Sequence, residues 1–282
     1  MASSAVATCP APRGVIRGYH IRLLLGAGLL ILMILAAFFA PLPYDPVTPN
    51  VDVIAQPPSS AHWFGTDLTG SDVFSRTIAS GKRDLPLALL GTLLSLVLGV
   101  PLGLMASSKD PWGERLMRAL DVFQAFPLLV LALAIVTLTG NRIQNVVVAI
   151  AIINVPRFMR LVRSEALALR ESRFIEAAIA VGSSPARVMF RHLLPNVVGT
   201  VLVQSSLTAA YAVIVIAALN FLGIGVSLPD PTWGSMIQSG ARDISQGQWW
   251  MSVFPGLAIF AVVFGFNLVA DGLDEILEQA GR

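Results

Sequence analysis

Charge is scarce in this 282-residue sequence: Asp, Glu, Lys and Arg make up 13% of it, about half the share of a soluble domain. The net charge of +2 is too small to point to nucleic acid as a partner. The one cysteine, Cys9, excludes an internal disulfide and a cysteine-based metal cluster. It lies in a tail of small residues and reads as an inert surface thiol. The three histidines, His20, His62 and His192, are too scattered for a metal or catalytic cluster. No G-x-x-x-x-G-K-[ST] motif is present, and the pair Gly81-Lys82 is followed by Arg83, so no nucleotide site is visible. There is also no H-E-x-x-H and no acid pair at catalytic spacing within an apolar run. The tail, Met1–Gly18, is too poor in Arg and Ser for a transit peptide.

Apolar residues fill the space, at 55% of the chain with a mean hydropathy of +0.73. They fall into six runs long enough to cross a bilayer: Ile21–Ala40, Leu85–Ala106, Leu116–Thr139, Ile143–Val162, Val197–Leu222 and Ser252–Leu273. The first is longer than a signal-peptide core and reads as an uncleaved span. Six prolines between Pro41 and Pro58 predict extended, non-helical chain outside the membrane. Pro86 and Pro255 are expected in the first turns of their spans. Pro127 is expected to kink the third span, and Pro156 to lie near the end of the fourth. The division that follows is a tail over 1–20, the first span with its proline-rich segment over 21–84, and a five-helix unit over 85–282. Fourteen Lys and Arg fall on one side of this topology and five on the other, which puts both termini in the cytoplasm by the positive-inside rule.

On the positive side lies Arg170–Asn196, where Phe174–Val181 is apolar except for Glu176. At about 1.5 Å per residue it covers about 12 Å, too short to span. Ser172 is placed to cap its start, and Gly182 to end it in a left-handed conformation. Ser184-Pro185 then restarts a helix over Ala186–Leu194, which is expected to stop at Pro195. Ala177, Ala178 and Ala180 give the short helix a thin profile that a partner can approach closely, and Glu176 offers a charge. The competing reading is a helix lying on lipid headgroups. Docking to a protein is preferred because the basic residues flank the apolar run and form no face along it.

Polar groups inside spans usually face the bundle interior or a water path. Asp121 and Gln124, three residues apart, share a helix face ahead of Pro127, which frees the Phe123 carbonyl. They read either as part of a polar pathway or, the preferred reading for Asp121, as an end-of-span charge near Arg118. Gln204, Ser205, Ser206 and Thr208 cluster in the fifth span, as pathway or as interhelical hydrogen bonds. Gly99-x-x-x-Gly103 is a helix-packing signal. Outside, a short helix over Ser71–Arg83, capped by Ser71, is expected to lie on the membrane surface. Trp233, Trp249 and Trp250 suit an interfacial aromatic belt.

EAAIAVG at Glu176–Gly182, followed by RHLLPN at Arg191–Asn196, resembles the EAA signature of the permeases of binding-protein-dependent ABC importers. GTDLTGSDVFSR (65–76), MRALDVFQAFP (117–127), LNFLGIGV (219–226), TWGSMI (232–237) and FPGLAIFAVVFGFNLVADGL (254–273) are similar to segments of the C-type permeases of dipeptide, oligopeptide and nickel importers. Ser71, Ile216 and Asn220 depart from that pattern, the last two on a candidate pathway helix. The resemblance implies an all-α type I importer fold with six transmembrane helices and a cytoplasmic coupling helix. It implies no catalysis in this chain, since two ATPase partner subunits bind ATP and Mg. It also implies a homologous B-type permease, an extracytoplasmic substrate-binding protein and a bacterial inner-membrane location. Phe174, Glu176, Ala177, Ala178, Gly182 and Pro195 then carry ATPase coupling, and Asp121, Gln124, Gln204, Ser205, Ser206, Thr208 and Asn220 are pathway candidates. Nickel or another small solute as cargo, and a secondary transporter as a different class, are the alternatives. The second would need two related halves with broken helices, and no such repeat is seen.

Overall fold

The computed structural model of the protein describes residues 15–108, 111–225 and 229–280. Cys9, Arg13, Lys109, Val226 and Arg282 lie outside them. The helices are α1 (Val15–Phe39), α2 (Val73–Ala106), α3 (Pro111–Gln124), α4 (Leu128–Thr139), α5 (Ile143–Arg170), α6 (Arg173–Ala180), α7 (Pro185–Arg187), α8 (Leu194–Phe221), α9 (Trp233–Ala241) and α10 (Trp250–Ala280). Five spans are single helices long and apolar enough to cross a membrane, α8 being counted together with α7. The sixth crossing is the pair α3 and α4, bent by 88°. Arg163 and Arg170 of α5 reach back to Ala106 and Ser107 at the end of α2, while Asn145 at the start of α5 holds the Thr139 carbonyl at the end of α4. The bent pair therefore carries the chain from one end of the bundle to the other. One end bears α6, the other α9.

Proline accounts for most departures from the expected boundaries. Pro127 does more than kink a span: it sits in extended backbone as the cap of α4 and separates two helices. Pro86, Pro156 and Pro255 lie well inside α2, α5 and α10, as lipid-embedded helices allow when neighbours restrain them. The expected surface helix over Ser71–Arg83 is the first third of α2, continuous with the span and crossing the 84/85 boundary. Asp72, not Ser71, caps it, accepting from the Ser75 N–H at 2.7 Å. The segment 41–58 is non-helical except for a turn at Val51–Val53 capped by Asn50.

The core runs between α2, α5 and α8, with α1 and α10 packed against one side. The Gly99/Gly103 signal marks the α2–α5 seam: a Cβ at Gly99 would lie 2.6 Å from the Phe158 Cβ, and one at Gly103 2.8 Å from the Met159 carbonyl oxygen. At the other end of the bundle, α9 is wedged in place. Thr232 and Ser235 form a capping box, and Trp233 is buried, with its indole N–H donating to the Thr77 carbonyl at 2.9 Å. Trp250 is also buried and donates to the Thr66 carbonyl at 3.1 Å. Of the expected aromatic belt only Trp249 is exposed; the other two indoles serve as buried clamps.

Asp84, one residue before the expected span, is the centre of this clamp. Its carboxylate accepts from the Trp233 N–H at 2.9 Å and from the Asn220 side chain at 3.4 Å. Replacing it with Leu leaves a buried N–H without an acceptor, which costs about 1–3 kcal/mol. The thermal midpoint should fall by roughly 2–10 °C, with less loss for Asp84→Asn, which keeps an acceptor for Trp233. Equal midpoints for Asp84→Leu and wild type would remove the clamp from the account.

Candidate functional site: a docking helix and a polar cavity

Two features stand out, one at the α6 end and one an open polar cavity between α3, α5 and α8. Arg173–Ala180 forms a helix because Ser172 opens it in extended backbone and Gly182 closes it. The Ser172 carbonyl, not its hydroxyl, takes the first N–H groups, from Ile175 and Glu176. The hydroxyl instead donates back to the Leu169 carbonyl, so the expected side-chain cap is absent. At the other end Gly182 has φ +85°, and the Gly182 and Ser183 N–H groups return to the Ile179 and Ala178 carbonyls at 2.9 and 3.0 Å. That pair of bonds is a Schellman closure, which requires the left-handed residue. Ser184 caps the next turn through the Arg187 N–H at 3.3 Å, with Pro185 at its start.

The expected stop at Pro195 does not occur. Val188–Leu193 is a π-helical turn that leads directly into α8. A proline ring clashes with the carbonyl four residues earlier in a regular helix, and the wider turn lies over the residues where that clash would fall. Asn196 supports it by donating to the His192 carbonyl at 2.6 Å.

The short helix is fastened by one stripe. Ile175 is buried with Val188 and Leu193 against Leu104 of α2, Phe158 of α5 and Val197 of α8, and Ala178, on the same stripe, is buried as well. Ala178 therefore faces its own chain and offers no surface to a partner. The other faces are bare: Phe174 is 47% exposed, Ile179 55% and Val181 83%, and Glu176, Ala177 and Gly182 are also exposed. Pro195 is exposed as well, but on α8 beyond the π turn.

The second feature is a cavity of about 490 Å3 whose polar lining is Gln124, Arg157, Arg160, Ser164 and Gln204. Arg160 donates to Asp121 at 2.8 Å and to Gln124 at 2.6 Å, tying α3 to α5. Asp121 thus pairs with Arg160 of α5, while Arg118 pairs with Glu114 of its own helix at 3.7 Å. The Arg157 guanidinium lies 3.9 Å from the centre of the Tyr211 ring.

Only part of the expected pathway set meets here. Gln204 lines the cavity and donates to Thr208 at 3.1 Å. Thr208 itself is fully buried. Ser205 turns back to the Val201 carbonyl. Ser206 donates to the Phe266 carbonyl at 2.7 Å, the interhelical hydrogen bond that was the other reading. Asn220 is buried on Asp84, and Ile216 is fully buried in the core. Neither departure from the family pattern in α8 therefore reaches the cavity. Arg157, Arg160 and Ser164 are not among the pathway candidates of the sequence, where Arg157 and Arg160 read as charges of the loop after the fourth span. Their spacing over positions 157, 160, 161 and 164 marks one helix face and was available as a signal.

Residues 95–282 match the family described as "Binding-protein-dependent transport system inner membrane component". The chain is similar to the dipeptide transport system permease protein DppC of Alkalihalophilus pseudofirmus, 42% identical over 258 residues that cover 89% of this chain and 84% of the relative. It is similar to the glutathione transport system permease protein GsiD of Pectobacterium atrosepticum, 39% identical over 257 residues, 89% of this chain and 85% of the relative. GsiD of Escherichia coli O1:K1 / APEC is 38% identical over 252 residues, 88% of this chain and 83% of the relative. With its helical spans and its exposed short helix between α5 and α8, the chain belongs to the binding-protein-dependent transport system inner membrane components, the permease subunits of ABC importers.

Proposed function

We propose that this permease is one half of a peptide importer in the bacterial cytoplasmic membrane. It pairs with a homologous permease, docks an ATPase on α6 and receives cargo from an extracytoplasmic binding protein. Both termini and α6 face the cytoplasm in this reading, in line with a distribution of positive charge that is still twelve to five when Arg157 and Arg160, which lie within α5, are left out of the fourteen. Peptide cargo is inferred from relatives named for dipeptide and glutathione transport.

The observation that carries the reading is the division of α6 into a buried stripe and an apolar outer surface. An exposed apolar helix on an otherwise polar loop calls for a partner. Ile175 of that stripe ties it to the ends of α2, α5 and α8. When ATP binding draws the ATPases together, α6 moves with its partner. The displacement passes through these packed contacts into α5 and α8, the helices that line the polar cavity. ATP and Mg belong to the ATPases in this scheme. Phe174, Glu176, Ala177 and Gly182 remain coupling positions, joined by Ile179 and Val181; Ala178 acts by anchoring the helix.

Purification of the chain with the products of its neighbouring genes, followed by ATP hydrolysis measured with and without peptide-loaded binding protein, tests this directly. Co-purification of an ATPase and stimulation by the loaded binding protein are expected. Absence of any ATPase from the purified assembly would overturn the reading.

A further inference from the structure

Arg157 sits where a charge is expensive. It lies fourteen residues along α5 from Ile143, at about 1.5 Å per residue about 21 Å from the α9 end. The hydrocarbon core of a bilayer is about 30 Å thick, and a charge at such depth is tolerated when it faces a partner or a water-filled path. No carboxylate among the described residues pairs with Arg157. Its guanidinium carbon lies over the Tyr211 ring, a contact that uses none of its N–H groups as donors to an oxygen. Arg160, three residues on, is already neutralised by Asp121. These three groups leave the cavity one positive charge in excess, among the neutral hydrogen-bonding side chains Gln124, Ser164 and Gln204.

We infer that this cavity is a transit site for a single carboxylate of the cargo, taken by the Arg157 guanidinium. In a peptide importer that group is the C-terminal carboxylate, so the inference rests on the function proposed above. The guanidinium fork matches a carboxylate with two parallel N–H donors. The volume of about 490 Å3 lies within the range of about 300–1,000 Å3 typical of small-molecule sites. Five of the seven lining residues, Gln124, Arg157, Arg160, Ser164 and Gln204, carry hydrogen-bonding groups, which gives a polar cargo partners along its length. An excess of one charge also suits transit, because a site that is crossed must release what it holds. The Asp121–Arg160 pair sets that excess. Removing Asp121 raises it and should slow release.

The test uses the detergent-solubilised permease–ATPase assembly without its binding protein, with labelled trialanine and trialanine amide as probes in equilibrium dialysis. Trialanine should bind about tenfold or more tightly than the amide, the range of a charge-assisted hydrogen-bonded pair. Arg157→Gln should bring that ratio to one, Arg157→Lys should keep only part of it because an ammonium lacks the two parallel donors, and Asp121→Asn should raise it. A wild-type assembly that does not distinguish the two probes, including one that binds neither, overturns the inference. So does a ratio unchanged in Arg157→Gln. Loss of the second permease from the Arg157→Gln assembly would assign Arg157 to the subunit interface instead. Dependence of the ratio on added phosphatidylglycerol would assign it to lipid. Failure of the importer reading shows separately, as an assembly without ATPase.

Discussion

An Ile179→Asp variant should weaken ATPase association at least about thirtyfold while reaching the membrane at wild-type level. Ile179 is 55% exposed in the isolated chain, so the folded permease loses little when it changes. A docked partner would enclose the new carboxylate without a counter-charge, at a cost of about 2 kcal/mol or more, and each 1.4 kcal/mol is tenfold in affinity. Retention of the ATPase during purification, and ATP hydrolysis stimulated by loaded binding protein, measure the loss. Full stimulation in Ile179→Asp would move the docking surface away from α6. Ile175→Asp makes the contrast. Ile175 is fully buried against α2, α5 and α8, so its variant should lower the amount of folded permease as well. Gly182 adds a test of the backbone alone, because a Cβ there would meet nothing within 4 Å. At φ +85° an L-residue costs about 1–2 kcal/mol and a β-branched one more. Gly182→Val should therefore impair coupling more than Gly182→Asn, since Asn visits this conformation more readily.

The coupling loop was legible in the sequence because its signals are local. The turn at Gly182 and the cap at Ser184 depend on residues within a few positions, and both are found where expected. Proline misled because its effect depends on what surrounds it. At Pro127 the chain leaves the helix, at Pro195 a π turn precedes the ring, and at Pro86 and Pro255 the helix continues. No spacing of residues separates these outcomes, since they are decided by neighbouring helices. The pathway candidates of α8 come together only in part, for a geometric reason that the sequence does contain. Gln204, Ser205, Ser206 and Thr208 lie within five residues, and a helix turns about 100° per residue, so they point to every side. Ser206 and Thr208 accordingly face inward, and Gln204 alone lines the cavity. Arg157, Arg160 and Ser164, spaced by three and four, share one face and meet there. Helical spacing identified the cavity better than the density of polar residues did.

The α2–α5 seam should give opposite signs for one chemical change made at two glycines. Gly91, Gly99 and Gly103 face Ile150, Phe158 and Val162 in parallel register, with the same offset at all three. A Cβ on Gly99 would lie 2.6 Å from the Phe158 Cβ and 2.9 Å from the Val155 carbonyl oxygen. Neither atom is the far end of a flexible side chain, so the two helices must separate. Crowding a packed core costs typically about 1–3 kcal/mol, against about 1 kcal/mol gained when alanine replaces glycine inside a helix. Gly99→Ala should therefore lower the thermal midpoint, by up to roughly 8 °C, and Gly99→Leu should lower it further. On α10 a Cβ at Gly256 would meet nothing within 4 Å, so Gly256→Ala should raise the midpoint by a few degrees. Separation of α2 from α5 also loosens the cluster in which Phe158 and Leu104 hold Ile175 of α6. The Gly99 variants should then lose coupled ATP hydrolysis at temperatures well below their unfolding midpoints, whereas Gly256→Ala keeps it. A Gly99→Ala variant as stable and as well coupled as Gly256→Ala would show that the seam tolerates a methyl group. The path from α6 to the cavity-lining helices would then have to run through α8 alone.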